Sequence, residues 1–227
     1  MERIHHKIKQ NTDEWHDIRR GRFTSSIVSP LFSDPLTKRD KELGLLSKTA
    51  QKLVEEKALE LLNFNKPIFE HDNFDWGHEY EPFAAMAYQE IKQVDIFDGD
   101  FWTYGENHGS SPDRLVGKVG LLEIKNPKNQ SEHIYNLRNI KSELDLLSHR
   151  KEYYYQCQHQ MYTTGREWCD FLSFDIRLFT DEKVSKAGFV CIRIEPNLEV
   201  FKEFDRRIQI ASELRDKIMN EILEYNI

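Results

Sequence analysis

Apolar positions recur along this chain with two different periods, and the changes of period outline its elements. Residues 48–62 carry apolar side chains at 50, 53, 54, 58, 61 and 62, the spacing of one buried helix face. Residues 197–225 repeat the pattern at 200, 201, 204, 208, 210, 214, 218, 222 and 223, which predicts a long amphipathic helix. "RKEYYYQCQHQMYTTG" (150–165) predicts a helix closed by Gly165. "TDEWHDIRRGR" (12–22) predicts a short one capped by Thr12 or Asp13. A further helix is expected from about Phe74 to Ile91, with Asn73 as its cap. "TSSIVSPLF" (24–32) reads as a helical turn stopped near Pro30, and "SDPLTKRDKELG" (33–44) as a polar, mobile loop.

Short strand-like runs fill the middle. Residues 94–97 and 101–104 are aromatic and extended in character. Residues 113–117 and 119–125 pair as a hairpin around Gly117 and Gly120, and Pro127 ends the second strand. "WCDFLSFD" (168–175) and "GFVCIRIEP" (188–196) are two more strands. The order of elements predicts a mixed α/β or α+β domain, a central mixed sheet flanked by helices, formed as one unit over residues 1–227.

Composition narrows the functional classes. No apolar run approaches the roughly 20 residues of a membrane span, and "MERIHHKIKQ" lacks the apolar stretch of a secretory signal. The three cysteines, Cys157, Cys169 and Cys191, form no CxxC pair and no even framework. A cytoplasmic protein with reduced thiols is expected. The net charge of −7 argues against a general nucleic-acid binder, because phosphate contacts favour a basic surface. The basic residues are nevertheless clustered, in "IRRGR" (18–22) and around Lys125 and Lys128. Bound cations would also reverse the sign of any carboxylate cluster.

The candidate chemistry lies in "SSPDRLVGKVGLLEIKNP" (110–127). Side chains at i and i+2 of a strand share a face, so Glu123 and Lys125 emerge together while Ile124 enters the core. Leu121 and Leu122 mark the strand as buried, and buried charges need partners or a task. Hairpin pairing brings Asp113 beside Glu123. Two converging carboxylates suit a hard divalent cation that keeps several waters. Such a cation activates water and neutralises charge on a phosphoryl group, while the lysine positions or deprotonates that water or stabilises the charge. By spacing alone an ExK pair on a strand is most often a solvated face or an ordinary ion pair. The same bland reading applies to Glu81 as a surface carboxylate, Gln156, Gln158 and Gln160 as a polar stripe, Ser26 as a cap and Trp15 as core.

Four blocks in order shift that balance: "DEWHDIRRGRFTSS" (13–26), "WGHEYEPFAAMAY" (76–88), the 111–127 segment and "YQCQHQMYTTGREWCDFLSFD" (155–175). Together they resemble the YqaJ-like viral recombinase, or phage lambda exonuclease, family of PD-(D/E)xK nucleases, over residues 13–177. The resemblance implies a restriction-endonuclease-like core. It implies digestion of one strand of duplex DNA from the 5′ end with Mg²⁺, with Mn²⁺ as a possible substitute, leaving a 3′ overhang. It implies double-stranded DNA ends, a single-strand annealing protein and a homo-oligomer, a ring-shaped trimer, as partners. Residue by residue, Asp113, Glu123 and Lys125 match the catalytic set. Glu81 matches an assisting metal ligand, the Ile124 carbonyl a further ligand, and Gln156 the glutamine that closes the site. Arg19 and Ser26 match the positions that hold a 5′-phosphate. No residue matches the family's phosphate-binding arginine after the motif lysine, where Lys128 or Arg138 is the nearest substitute. Arg114 stands in place of the usual glycine after the motif aspartate, where it can add a phosphate contact.

Other functions fit the same residues. One is a structure-specific or restriction-like endonuclease on this core. Another is a DNA-end-binding recombination protein without catalysis, which the intact carboxylate and lysine set argues against. The isolated cysteines disfavour an iron–sulfur nuclease, and the absence of HExxH or a soft-ligand cluster disfavours zinc.

Overall fold

The computed structural model describes residues 1–62, 72–178 and 186–225. Its elements in chain order are β1 (Arg3–His6), α1 (Asp13–Arg19), β2 (Phe23–Thr24), α2 (Lys38–Glu42), α3 (Lys48–Leu61), α4 (Asp72–Lys92), β3 (Ile96–Asp98), β4 (Phe101–Tyr104), β5 (His108–Ser110), β6 (Arg114–Val116), β7 (Gly120–Lys125), α5 (Gln130–Asn139), α6 (Glu143–His149), α7 (Lys151–Thr164), β8 (Trp168–Phe174), β9 (Phe189–Ile194) and α8 (Leu198–Glu224).

The expected central sheet is present as a five-stranded sheet of order β3-β6-β7-β8-β9. Its pairs are antiparallel except β7 with β8, which run parallel from Gly120↔Trp168 to Lys125↔Ser173. A parallel pair needs a crossover, and α5, α6 and α7 supply it. Strand periodicity then sorts the side chains of β7. Leu121 joins Phe171, Ile194 and the α7 residues Tyr154, Cys157 and Met161 in one core layer. Leu122 and Ile124 join Leu172, Phe174 and the α4 residues Ala84, Ala87 and Tyr88 in the layer on the other face. Glu123 and Lys125 therefore face α7 and Ile124 faces α4, as the alternation predicts.

A second sheet, order β1-β4-β5-β2, was not anticipated. β1 is almost wholly exposed and β5 is a buried His-Gly-Ser, so neither shows an apolar alternation. This sheet, α3 and α8 enclose a third core cluster that includes Phe23, Leu31, Val54, Tyr162, Phe204 and Ile208.

Local corrections have local causes. The 24–32 segment forms two 3-10 turns, and Pro30 opens the second rather than stopping the first, as its fixed φ and missing N–H allow. The expected loop at 33–44 contains α2, whose cap Thr37 accepts from the Asp40 amide at 3.0 Å. Between Pro127 and Arg150, α5 and α6 are begun by Asn129 and Ser142. The helix expected from Phe74 is already formed at Asp72, so Asn73 lies within α4 and not at its cap. Among the described residues, no helix is long and apolar enough to cross a membrane.

Candidate nucleic-acid processing site

Asp113 lies immediately before β6, one residue from the Arg114↔Leu122 pair, so the hairpin register delivers it to β7. Its Oδ2 accepts from the Ile124 amide at 2.6 Å. That bond fixes the carboxylate against the strand that carries Glu123 and Lys125. Glu123 is 1 % exposed. Its Oε1 accepts from Lys125 Nζ at 2.5 Å and from Gln156 Nε2 at 2.7 Å. Its Oε2 accepts from Gln160 Nε2. Three donors on one buried carboxylate meet the cost of desolvating it.

α4 supplies Glu81, which is mostly buried and accepts from Arg114 Nη1 at 2.6 Å. The same nitrogen donates to the Asp113 backbone carbonyl at 2.5 Å. His78 Nδ1 stands 3.8 Å from the other Glu81 oxygen. A cleft of about 310 Å³ is lined by His78, Glu81, Asp113, Lys125, Asn126 and Tyr153, among others. Thus Glu81, Asp113, Glu123, Ile124, Lys125 and Gln156 converge, as expected. Glu81 is not a surface carboxylate, and Gln158 and Gln160 are fully buried rather than a solvated stripe.

Charge crowding shapes this cleft. Burial, then Glu123 and Glu81, push the Asp113 carboxyl well above the usual carboxylate range. Burial pulls the Lys125 ammonium down, but Glu123 and Asp113 outweigh it and hold the group above its ordinary value. Among the described residues no three His, Cys, Asp or Glu side chains form a ready metal cage. The oxygen donors of Asp113, Glu123 and the Ile124 carbonyl nevertheless fit a hard divalent cation that completes its shell with water. The crowded Asp113 carboxylate favours such a charge. Asn126 gives its amide N–H to the Gly77 carbonyl at 3.2 Å, while its buried Oδ1 has no protein partner among the described residues and is free to accept from water.

The basic loop is built separately. Thr12 caps α1 by accepting from the Trp15 amide at 3.3 Å. Arg19 ends α1 with its guanidinium 3.9 Å over the Trp15 ring and Nη2 donating to Thr24 at 3.3 Å. Burial lowers its pKa to about 10, against the opposing pull of Glu60, so it remains charged at neutral pH. Trp15 is indeed buried, and its indole N–H donates to Ser111 Oγ at 2.9 Å, two residues before Asp113. The Arg19 loop and the carboxylate cleft are thereby connected. Ser26 is exposed within the first 3-10 turn and does not cap it. Its neighbour Ser25 is buried and bonded to Ser110 and His159, each at 2.9 Å.

Gly21 shapes this loop. Its φ is +71°, and a Cβ there would lie 2.5 Å from Leu61 Cγ. Its amide donates to Glu60 Oε2 at 3.0 Å, and its carbonyl accepts from Arg215 Nη1 of α8 at 2.7 Å. Beyond β7, Arg177 donates to the carbonyls of Pro127 and Lys128 at 3.2 and 3.1 Å, fixing the turn that carries Lys128. Arg138 is exposed in the last turn of α5.

Gln160, Arg177 and Arg215 are parts of the site's framework that the sequence does not announce. Only Gln160 left a signal, its i+4 spacing from Gln156, and Tyr153 shares that face, with Lys125 Nζ 5.0 Å over its ring.

The model of the YqaJ-like viral recombinase domain matches residues 14–167. No curated protein matches the chain. Among solved structures, the chain is similar to an alkaline exonuclease from Laribacter hongkongensis, with 29 % identity and a TM-score of 0.73, covering 95 % of this chain and 97 % of that one. The same exonuclease in complex with dAMP gives a TM-score of 0.75 at the same identity and coverage. A phage-related exonuclease from Haemophilus somnus 129PT shares the fold at 17 % identity, with a TM-score of 0.70 over 91 % of this chain and 99 % of that one.

Proposed function

The chain belongs to the YqaJ-like viral recombinase family, and on that premise we propose that it is a metal-dependent exonuclease that degrades one strand of duplex DNA from the 5′ end and leaves a 3′ overhang. The observation that carries the reading is that Asp113 and Lys125 line one cleft beside the buried Glu123, which Gln156 and Gln160 grip. The likeness to an alkaline exonuclease supports the same class of reaction.

Asp113, Glu123 and the Ile124 carbonyl would hold Mg²⁺, which supplies Lewis-acid polarisation of a phosphodiester and a more acidic bound water. The protein's own contribution is positional and electrostatic. The Ile124 amide and the two glutamines fix the carboxylates before substrate arrives, so no reorganisation is needed during reaction. Lys125 is held as an ammonium, which favours donation to the attacked phosphate or the attacking water over proton abstraction. Arg19 presents a planar, charged group suited to a terminal phosphate, with the exposed Ser26 hydroxyl nearby in sequence. A terminal phosphate carries more charge than an internal diester, so this loop would prefer a 5′-phosphorylated end. An acidic chain makes a poor DNA clamp alone, and a closed homo-oligomer would gather its basic residues inward.

The test is linear duplex, 5′-phosphorylated and labelled on either end, incubated with Mg²⁺ and with EDTA as control. Metal-dependent loss from the 5′ ends, with closed circular duplex left intact, is the expected result. Equal cutting of closed circles would favour an endonuclease, and binding without hydrolysis a non-catalytic end-binding protein.

A further inference from the structure

Arg114 introduces a permanent positive charge where the family resemblance leads one to expect a glycine, and the structure gives that charge a partner. One guanidinium nitrogen bridges Glu81 at 2.6 Å and the Asp113 carbonyl at 2.5 Å. Both side chains of the ion pair are shielded, at 18 % and 19 % exposure. The bridge joins the carboxylate of α4 to the residue that begins the catalytic hairpin.

The charges around the cleft can then be compared. With all three carboxylates ionised, the form that binds a cation, Glu81, Asp113 and Glu123 face Lys125 and Arg114, which leaves one negative charge uncompensated. One divalent cation together with one phosphodiester brings that set to neutrality. A second divalent cation would leave an excess of two positive charges in a partly buried space, where unbalanced charge is costly. Without Arg114 the cluster would be more negative by one charge, and Glu81 would be free to bind metal.

We propose that Arg114 is a charge-compensating and positioning residue that takes the place of a second divalent cation: it occupies Glu81 and limits the cleft to one metal ion. The cation and the phosphodiester in this count rest on the nuclease reading above, while the hold of Arg114 on Glu81 does not.

The experiment is Mn²⁺ binding to the full chain without DNA, followed by electron paramagnetic resonance of the free ion, so that turnover plays no part. Wild-type protein should bind one Mn²⁺ per chain. Arg114→Gly should bind Mn²⁺ at least tenfold more tightly or take up a second ion. Arg114→Lys, which keeps the charge, should stay at one ion with wild-type affinity. Adding Glu81→Gln to Arg114→Gly restores the original charge balance and should return affinity to within threefold of wild type. Two equivalent ions bound by wild-type protein would overturn the proposal, as would Arg114→Gly protein that is folded by circular dichroism yet binds within threefold of wild type. If Arg114→Gly fails to fold, Arg114→Gln carries the same comparison, and the wild-type stoichiometry decides by itself. One Mn²⁺ bound by a chain that hydrolyses no DNA would leave this proposal standing and overturn the nuclease reading instead.

Discussion

Replacing Gly21 by alanine adds one methyl group to the turn that carries Arg19 and Arg22. The residue has φ +71°, and a Cβ would meet three Leu61 carbons at 2.5, 2.6 and 2.7 Å. The left-handed backbone costs an L side chain roughly 1–2 kcal/mol. The contact with Leu61 is far inside van der Waals range, and such overpacking typically costs about 1–3 kcal/mol. The sum is about 2–5 kcal/mol, and a loss of ~3 kcal/mol lowers Tm by roughly 6–12 °C in a domain of this size. Urea denaturation would read the loss as a lower midpoint with an unchanged slope. In a Leu61→Ala background the steric part disappears, so the same substitution should then cost only roughly 1–2 kcal/mol. A loss below ~1 kcal/mol in the wild-type background would refute the backbone reasoning. Equal losses in the two backgrounds would refute the Leu61 contact.

Lys125→Ala should lower hydrolysis by about 10²–10³-fold while DNA binding persists, and Asp113→Asn should abolish it; turnover by both variants at the wild-type rate would remove this site from the chemistry. Arg19→Ala should slow 5′-phosphorylated duplex more than 5′-hydroxyl duplex, and equal slowing of the two would make Arg19 a general backbone contact. Stability should fall in acid because of a buried histidine pair: His108 Nδ1 and His159 Nε2 lie 3.1 Å apart, so one nitrogen must be bare. Burial lowers His108 to about 4 and holds His159 well below its ordinary 6.5. The unfolded chain therefore binds more protons between those values, and stability complete above 6.5 is lost as pH falls toward about 4. From His108 alone the loss between about pH 7 and pH 5 is on the order of 2 kcal/mol. Urea melts that show no such acid limb, or one that His108→Gln leaves unchanged, would contradict this. Light scattering at micromolar concentration should give a closed oligomer, a trimer, and a monomer that still digests processively would refute that expectation.

What could be read from the sequence was whatever repeats at short range. α3, α7 and α8 show an apolar face at helical spacing, and β4 matches its expected bounds. The Asp113, Glu123 and Lys125 set was legible because a hairpin register and a strand period are enough to bring it together. β1 and β5 were not: β1 pairs with a strand about 100 residues away, and β5 is itself a His-Gly-Ser with no apolar alternation. α5 and α6 were hidden by weak apolar faces, although Asn129 and Ser142 stand at their starts as capping residues. Gln160 looked like any polar helical residue until the fold placed it beneath Glu123. Arg114 read as a possible phosphate contact, and only the position of α4 reveals that Glu81 takes that side chain.

The bond from Arg215 to the Gly21 carbonyl spans 194 residues. During synthesis at about 5–20 residues per second, the loop after α1 emerges roughly 10–40 s before the arginine that completes it. A growing chain can already hold the central sheet and its carboxylates while the Arg19 turn still lacks its clamp from α8. If the Arg19 turn grips a DNA end as proposed, that grip would mature last, after the carboxylate site, and a nascent chain on the ribosome would be slow to engage DNA.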